Sequence, residues 1–333
     1  MMELLALPLL RWALFSGVVL LIGVVSWRGA VVPRIRLHLG QAYPPREYPE
    51  ILRLERRMAG AGAILALLLL PVWGLRLWSQ LQEFRDPFVP LSEDVAFLLQ
   101  QTFWGKVWMA QGGVLLLLVG GFLLLRGPWG GAQPPSPGLT PEGIPREGPR
   151  LLEWPWPWRV VAGMVGFLAL TLSLSSHAMS VPVNTAMAVG VDAGHLLAAG
   201  AWVGTLALIL AVTPGKNSDV PLLGIQLRAF SPLAMGAVGV LVFLGVILSG
   251  LHVHEWSVLW REAYGRTLSL KILAALGVMG MGFVNWRKGL PRVDTPGGRR
   301  WVHRSAWLEV AGAAVVILLT ALLVATPLPP GAH

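Results

Sequence analysis

The chain alternates between long apolar runs and short polar connections. A helix needs about 20 mainly apolar residues to cross the hydrocarbon core of a bilayer. Eight runs approach that length, at approximately 8 to 27, 58 to 78, 105 to 125, 160 to 179, 189 to 212, 232 to 251, 267 to 286 and 306 to 326. They predict an all-α, polytopic membrane bundle of eight transmembrane helices. The first run is short and N-terminal, like a signal peptide. Arg11 and Trp12 nevertheless interrupt the charged-then-apolar order, and the run ends at Trp27-Arg28 with no small-residue cleavage site. It reads as a retained helix.

The longest connection, 127 to 158, contains Gln133-Pro134-Pro135-Ser136-Pro137-Gly138 and Trp154-Pro155-Trp156-Pro157-Trp158. Such Pro and Gly density disfavours helix and strand and predicts an extended linker. The chain then divides into a three-helix membrane region (1–126), the linker (127–158), a five-helix membrane domain (159–327) and a short tail (328–333). Helix three opens with Thr102-Phe103-Trp104-Gly105-Lys106, and helix seven follows Ala263-Tyr264-Gly265-Arg266. The shared aromatic-Gly-basic turn suggests a parallel repeat.

Composition narrows the class. Of 333 residues, 55% are hydrophobic and 13% charged, against about 25% charged in an average soluble chain. An ordinary soluble enzyme is excluded, and no catalytic residues are assigned. The net charge of +9 reads as a topology signal, because Lys and Arg are retained on the cytoplasmic side of membrane proteins. With the N-terminus placed outside, nineteen of the 26 Lys and Arg fall in cytoplasmic segments. The other seven (Arg11, Arg76, Arg85, Lys106, Arg261, Arg266 and Lys271) fall in outer segments or outer helix ends. This asymmetry predicts both termini outside and argues against nucleic acid as a partner. Trp12, Trp27, Trp73, Trp78, Trp108, Trp158, Trp202, Trp256 and Trp286 mostly sit near the proposed helix ends, as interfacial anchors do. ATP-driven pumping is disfavoured, since no P-loop pattern occurs. With no Cys, disulfides, thiolate ligands, iron–sulfur clusters and Cys nucleophiles are excluded, so any soft-metal site must use His and Met.

Ionisable groups inside spans are costly, and are usually paired, solvated or functional. In the second half, His177 falls at the outer end of helix four, Asp192 and His195 in the first turns of helix five, and His252 and His254 at the outer end of helix six. Four of the seven histidines thus gather at one expected depth, with Met179 and Met187 in the adjoining loop. Asp192 and His195 share a helical face, where the carboxylate can orient the imidazole or help bind a cation. His252 and His254 converge only if the helix end frays. Each His alone is most simply an interfacial hydrogen-bonding group, and each Met a packing residue. Taken together, imidazole and thioether suit copper, Cu(I) in particular, whereas Mg or Ca would want an oxygen shell. Lys271 requires an anion or water, with Asp192, Glu255 and Glu262 at similar depth. Asn285 and Glu309 read as structural partners of nearby Arg287, Lys288 and Arg304. Gly190-x-x-x-Gly194 and Gly200-x-x-x-Gly204 on helix five predict close helix packing.

The second half resembles the copper resistance protein D (CopD) family. The resemblance rests on Ser173-Leu174-Ser175-Ser176-His177-Ala178 and on Asp192-Ala193-Gly194-His195-Leu196-Leu197-Ala198-Ala199-Gly200-Ala201-Trp202-Val203-Gly204. Further motifs are Arg228-Ala229-Phe230-Ser231-Pro232, Ser249-Gly250, Tyr264-Gly265-Arg266 with Leu268, Leu270 and Lys271, then Asn285, and Glu309 with Thr326-Pro327. It extends over roughly residues 160 to 327. The resemblance implies copper uptake through the bacterial inner membrane, a separate periplasmic copper-binding donor, and no organic cofactor. It maps metal contact onto His177 and His195, with His252 or His254 less secure.

Copper uptake through a cluster of His177, His195, His252, His254, Asp192 and Met179 is the leading expectation. A second is a membrane copper chaperone or assembly factor serving a respiratory oxidase without moving the ion across. A third is a cytochrome b with one haem held by His177 and His195. In the inner half of helices four to seven, only Met164, Met235, Met279 and Met281 offer soft ligands, and packing is their ordinary role. The sequence leaves that half of any ion path undetermined.

Overall fold

A computed structural model describes residues 2–39, 48–127, 154–175, 184–213, 222–252 and 262–326. All regular structure among them is helical, and eight helical runs are long and apolar enough to cross a membrane. Helix α1 (Met2–Ser26) passes through a π-helical turn, Trp27–Val31, into α2 (Val32–Leu39). Next come α3 (Tyr48–Phe84), α4 (Leu91–Gln101), α5 (Phe103–Arg126) and α6 (Trp156–Ser173). Helix α7 (Thr185–Ala199) continues through a π-helical turn, Gly200–Gly204, into α8 (Thr205–Val212). Then follow α9 (Leu222–His252), α10 (Ala263–Val284) with a π-helical turn at Asn285–Gly289, and α11 (Pro296–Ala325).

The eight expected spans coincide with these helices, with two adjustments at linker ends. Trp156-Pro157-Trp158, read as part of an extended linker, opens α6 instead. Proline is tolerated in a first helical turn because the N–H it lacks would have had no intrahelical partner there. At its other end α6 stops at Ser173, short of the expected 179. The amphipathic α4 lies outside the eight runs, since it is too short to span. It packs on α5 through Gly105, where an added Cβ would stand 2.1 Å from the Leu98 carbonyl oxygen. Thr102 ends α4 and caps α5, its hydroxyl accepting from Gly105 N–H at 2.9 Å.

Helix α1 lies at the centre, packed against α3, α6, α8, α11 and the π-helical turn of α7–α8. Glycines make this closeness possible. An added Cβ on Gly204 would stand 2.0 Å from the Val19 carbonyl oxygen, and one on Gly23 would stand 2.2 Å from the Gly204 carbonyl carbon. Thr205 Oγ1 donates to the Gly23 carbonyl at 3.3 Å across the same seam. The expected glycine packing is therefore realised by Gly200 and Gly204 against α1. Gly194 meets Leu244 of α9, while Gly190 faces open space.

The aromatic residues divide into two kinds. Trp78 and Trp286 are exposed, as anchors should be. Trp27, Trp158 and Trp202, also placed among the anchors, are buried. Buried indole N–H groups find partners, and two of these do: Trp27 donates to Gln226 Oε1 at 2.9 Å and Trp202 to Glu309 Oε1 at 3.1 Å. Trp73 and Trp108 stack with centroids 3.8 Å apart, and each indole donates to the other's backbone carbonyl. Trp256 lies outside the described residues.

Packing is uneven. In the Thr185–Val212 span 56% of the most apolar window is buried, against 6% in Leu222–Gly250 and 11% in Ala263–Arg292. Helix α9 leans on α7 and α2, and α10 on α11. Their remaining faces are apolar and exposed, as lipid-facing surfaces are.

Candidate functional site

Asp192 and His195 stand three residues apart on α7. His195 lies ten residues from Thr185, about 15 Å into the bundle at 1.5 Å rise per residue. Its imidazole meets α9 at a glycine: an added Cβ on Gly245 would stand 3.5 Å from the ring's Cε1. The Leu241 backbone, one turn earlier on α9, lies within polar reach of the ring. Nδ1 is buried without a hydrogen-bond partner. Nδ1 is also the ring nitrogen nearer α9, 3.9 Å from that added Cβ. Lys271 of α10 is within electrostatic range of both His195 and Asp192. Of the three carboxylates expected near Lys271, Asp192 acts on it electrostatically, and Glu255 lies outside the described residues.

His177, Met179 and His254 lie outside the described residues, and of His252 only the backbone, at the end of α9, is described. Among the described residues no three His, Asp or Glu side chains come together as a metal-holding group.

A second polar feature lies at the other end of the same helix run. Trp202, in the π-helical turn, is seven residues beyond His195, about 10 Å along the axis. π-Helical turns are frequent at functional sites. Glu309 of α11 is buried, its Oε1 accepting from Trp202 Nε1 at 3.1 Å and its Oε2 from Asn285 Nδ2 at 2.8 Å. Ser305 donates in turn to Asn285 Oδ1. Gly282 of α10 lets the carboxylate approach, since an added Cβ would stand 3.1 Å from Oε1. The expected pairing of Glu309 and Asn285 with Arg287, Lys288 and Arg304 is not formed. Glu309 sits more than three turns into α11, deeper than those cations, and its oxygens turn inward to neutral donors. Removing a carboxylate from water costs several kcal/mol even after relaxation. Each N–H donor returns about 1.5–3 kcal/mol, and no Lys, Arg or His among the described residues forms an ion pair with it.

Glu309, Asn285 and Trp202 border a cavity of about 360 Å³ between α9, α10 and α11. Met235, Met279, Ser231 and the aromatic rings of Phe230, Phe283 and Trp286 complete much of its wall. Sequence reasoning missed this cavity because its lining comes from four separated stretches. Glu309 stood out in the sequence as an ionisable group in a span, whereas Met235 and Met279 read as packing residues.

These features define a polytopic helical membrane protein with polar groups held deep inside its spans. Residues 226–323, which form α9 to α11, match the family model for copper resistance protein D (CopD). The matched stretch holds Lys271, Asn285 and Glu309, while Asp192 and His195 precede it. The chain is also similar to the protein named copper transport protein CutJ of Bacillus subtilis (strain 168), with 28% identity over 165 residues. That match spans 49% of this chain and 29% of the relative's length. No solved structure matches.

Proposed function

We propose that this protein carries copper ions across the bacterial inner membrane, admitting them at the Asp192–His195 end of the bundle. The observation that carries this reading is the buried, unpartnered Nδ1 of His195. A buried imidazole nitrogen with no hydrogen-bond partner is a candidate metal ligand, held here against α9 at Gly245. The CopD match and the similarity to a copper transport protein support copper as cargo. The absence of Cys leaves imidazole and thioether as soft ligands, which suits Cu(I). His177, His252, His254 and Met179 are the candidate co-ligands, brought to His195 when the ion arrives. The gathering of nineteen of the 26 Lys and Arg in the segments expected on the other side supports a periplasmic His195 end. A periplasmic copper-binding protein is then the natural donor.

The test is copper accumulation in sealed proteoliposomes containing the wild type or His195→Ala. Wild-type vesicles should accumulate Cu(I) in the lumen, and the variant should lose at least tenfold of the initial rate. Copper bound to the protein without lumenal accumulation would overturn transport in favour of presentation to a membrane acceptor. A Soret band in the purified protein would replace both with a haem protein.

A further inference from the structure

The cavity around Glu309 is a site in its own right. Its floor is a buried carboxylate whose two oxygens each accept one N–H, from Trp202 and from Asn285. An ionised carboxylate offers about four lone-pair positions, so two stay available. Both donors are neutral, and no described cation pairs with the group. An ionised Glu309 would lack a counter-charge among the described residues while bordering a space of about 360 Å³. Two thioethers, Met235 and Met279, and the aromatic face of Trp286 line that space.

This combination selects among ligands. A proton on Glu309 would need no cavity. A hard divalent cation would want six or more oxygens, and the lining supplies few. A neutral lipophile would leave the carboxylate charge unmatched. A soft monovalent cation is satisfied by all three elements: charge from Glu309, sulfur from Met235 and Met279, and π faces from the tryptophans. We infer that the α9–α10–α11 cavity is a second metal site for a soft monovalent cation, with Glu309, Met279 and Met235 as its ligands. It rests on the copper reading above and supplies the half of the path beyond His195. The π-helical turn Gly200–Gly204 links the two sites along one helix run, ending at the indole that holds Glu309.

The experiment uses the full chain in detergent, loaded anaerobically with Cu(I) under bicinchoninate competition, with X-ray absorption at the copper edge. Since the chain has no Cys, any Cu–S scattering comes from methionine. Wild type should show two sites and a Cu–S path. Glu309→Gln should weaken one site at least tenfold and leave the other unchanged. The double variant Met235→Leu, Met279→Leu, which keeps the carboxylate and its partners, should lose most of the Cu–S path. His195→Ala should remove the other site alone. If both cavity variants bind Cu(I) as the wild type does while His195→Ala does not, the cavity site is wrong and entry at His195 stands. If the wild type binds no Cu(I), both readings fall. Size-exclusion profiles and helical circular dichroism identify any variant that has not folded, and the thioether pair then decides independently of Glu309.

Discussion

Two glutamates are buried in this bundle to nearly the same degree, Glu55 at 3% exposed and Glu309 at 4%, and they are held in opposite ways. Glu55 of α3 meets Arg28 in the π-helical turn after α1, with Nε to Oε1 at 2.9 Å and both side chains almost fully enclosed. Trp158 of α6 lies beside it, so the pair locks three helices together. Glu309 meets an indole and an amide, both neutral, and opens onto a cavity. A charge with a buried counter-ion is neutralised where it sits and does architectural work. A charge satisfied only by dipoles keeps room for a cation.

The contrast can be broken most strongly at Arg28. Arg28→Ala should cost about 3–5 kcal/mol in unfolding stability, because it leaves Glu55 buried without its counter-ion. Replacing both partners, Arg28→Met with Glu55→Leu, should recover most of that loss. Denaturant titration of the purified protein measures each value, and a single-variant loss below about 1 kcal/mol would remove the architectural role from this pair.

A comparable test strikes the seam shared by both regions. Gly204→Val would drive a Cβ into the Val19 carbonyl, 2.0 Å away, and should cost about 1–3 kcal/mol as α1 is displaced. Thermal unfolding monitored by circular dichroism would register it, whereas Gly190→Val, facing open space, should be silent.

The conservative glutamine changes sharpen the comparison directly. Glu55→Gln should destabilise by several kcal/mol, since the Arg28 charge is left behind. Glu309→Gln leaves no ion behind and should cost about 1–3 kcal/mol, the penalty of one buried N–H donor left unpaired, while weakening Cu(I) binding. Equal losses from the two substitutions, read by parallel denaturant titrations, would erase the distinction.

The smallest effect belongs to the exposed pair Arg228–Asp294, where Nη1 donates to Oδ1 at 3.2 Å and Nη2 to Oδ2. Hydrogen bonds from Arg228 hold the Asp294 carboxyl below the usual carboxylate range. A lowered folded-state pKa adds stability above the unfolded value and loses it as pH falls through the folded one. Solvent screening keeps the total under about 1 kcal/mol. Asp294→Asn should therefore flatten the acid limb of a stability–pH curve only slightly below the ordinary Asp range.

Much of the architecture was legible because bilayer thickness sets a length that apolar runs must meet. Eight runs of that length and the Gly200–Gly204 contact surface follow from composition and spacing. Lys271 and Asp192 could be matched by depth alone. Trp202 could not be read correctly, because a tryptophan near a helix end is as consistent with an interfacial anchor as with a buried donor. Glu309 was visible as a costly residue but acquired the wrong partners, since nearby arginines and lysines are neighbours in sequence and not in depth.

By itself the sequence determined the class of protein, the number of spans, the exclusion of thiolate chemistry, and the presence of His195 and Glu309 inside the membrane. Those features depend on residue type and local periodicity, which each helix expresses on its own. Only the tertiary structure decided which charges are paired. It set the His195 ring against Gly245 of α9 and left Nδ1 without a partner, gave Arg28 to Glu55, and brought Trp202, Asn285 and Glu309 to one wall of a cavity. Those outcomes depend on the rotation and depth of helices far apart in the chain, which no local pattern specifies.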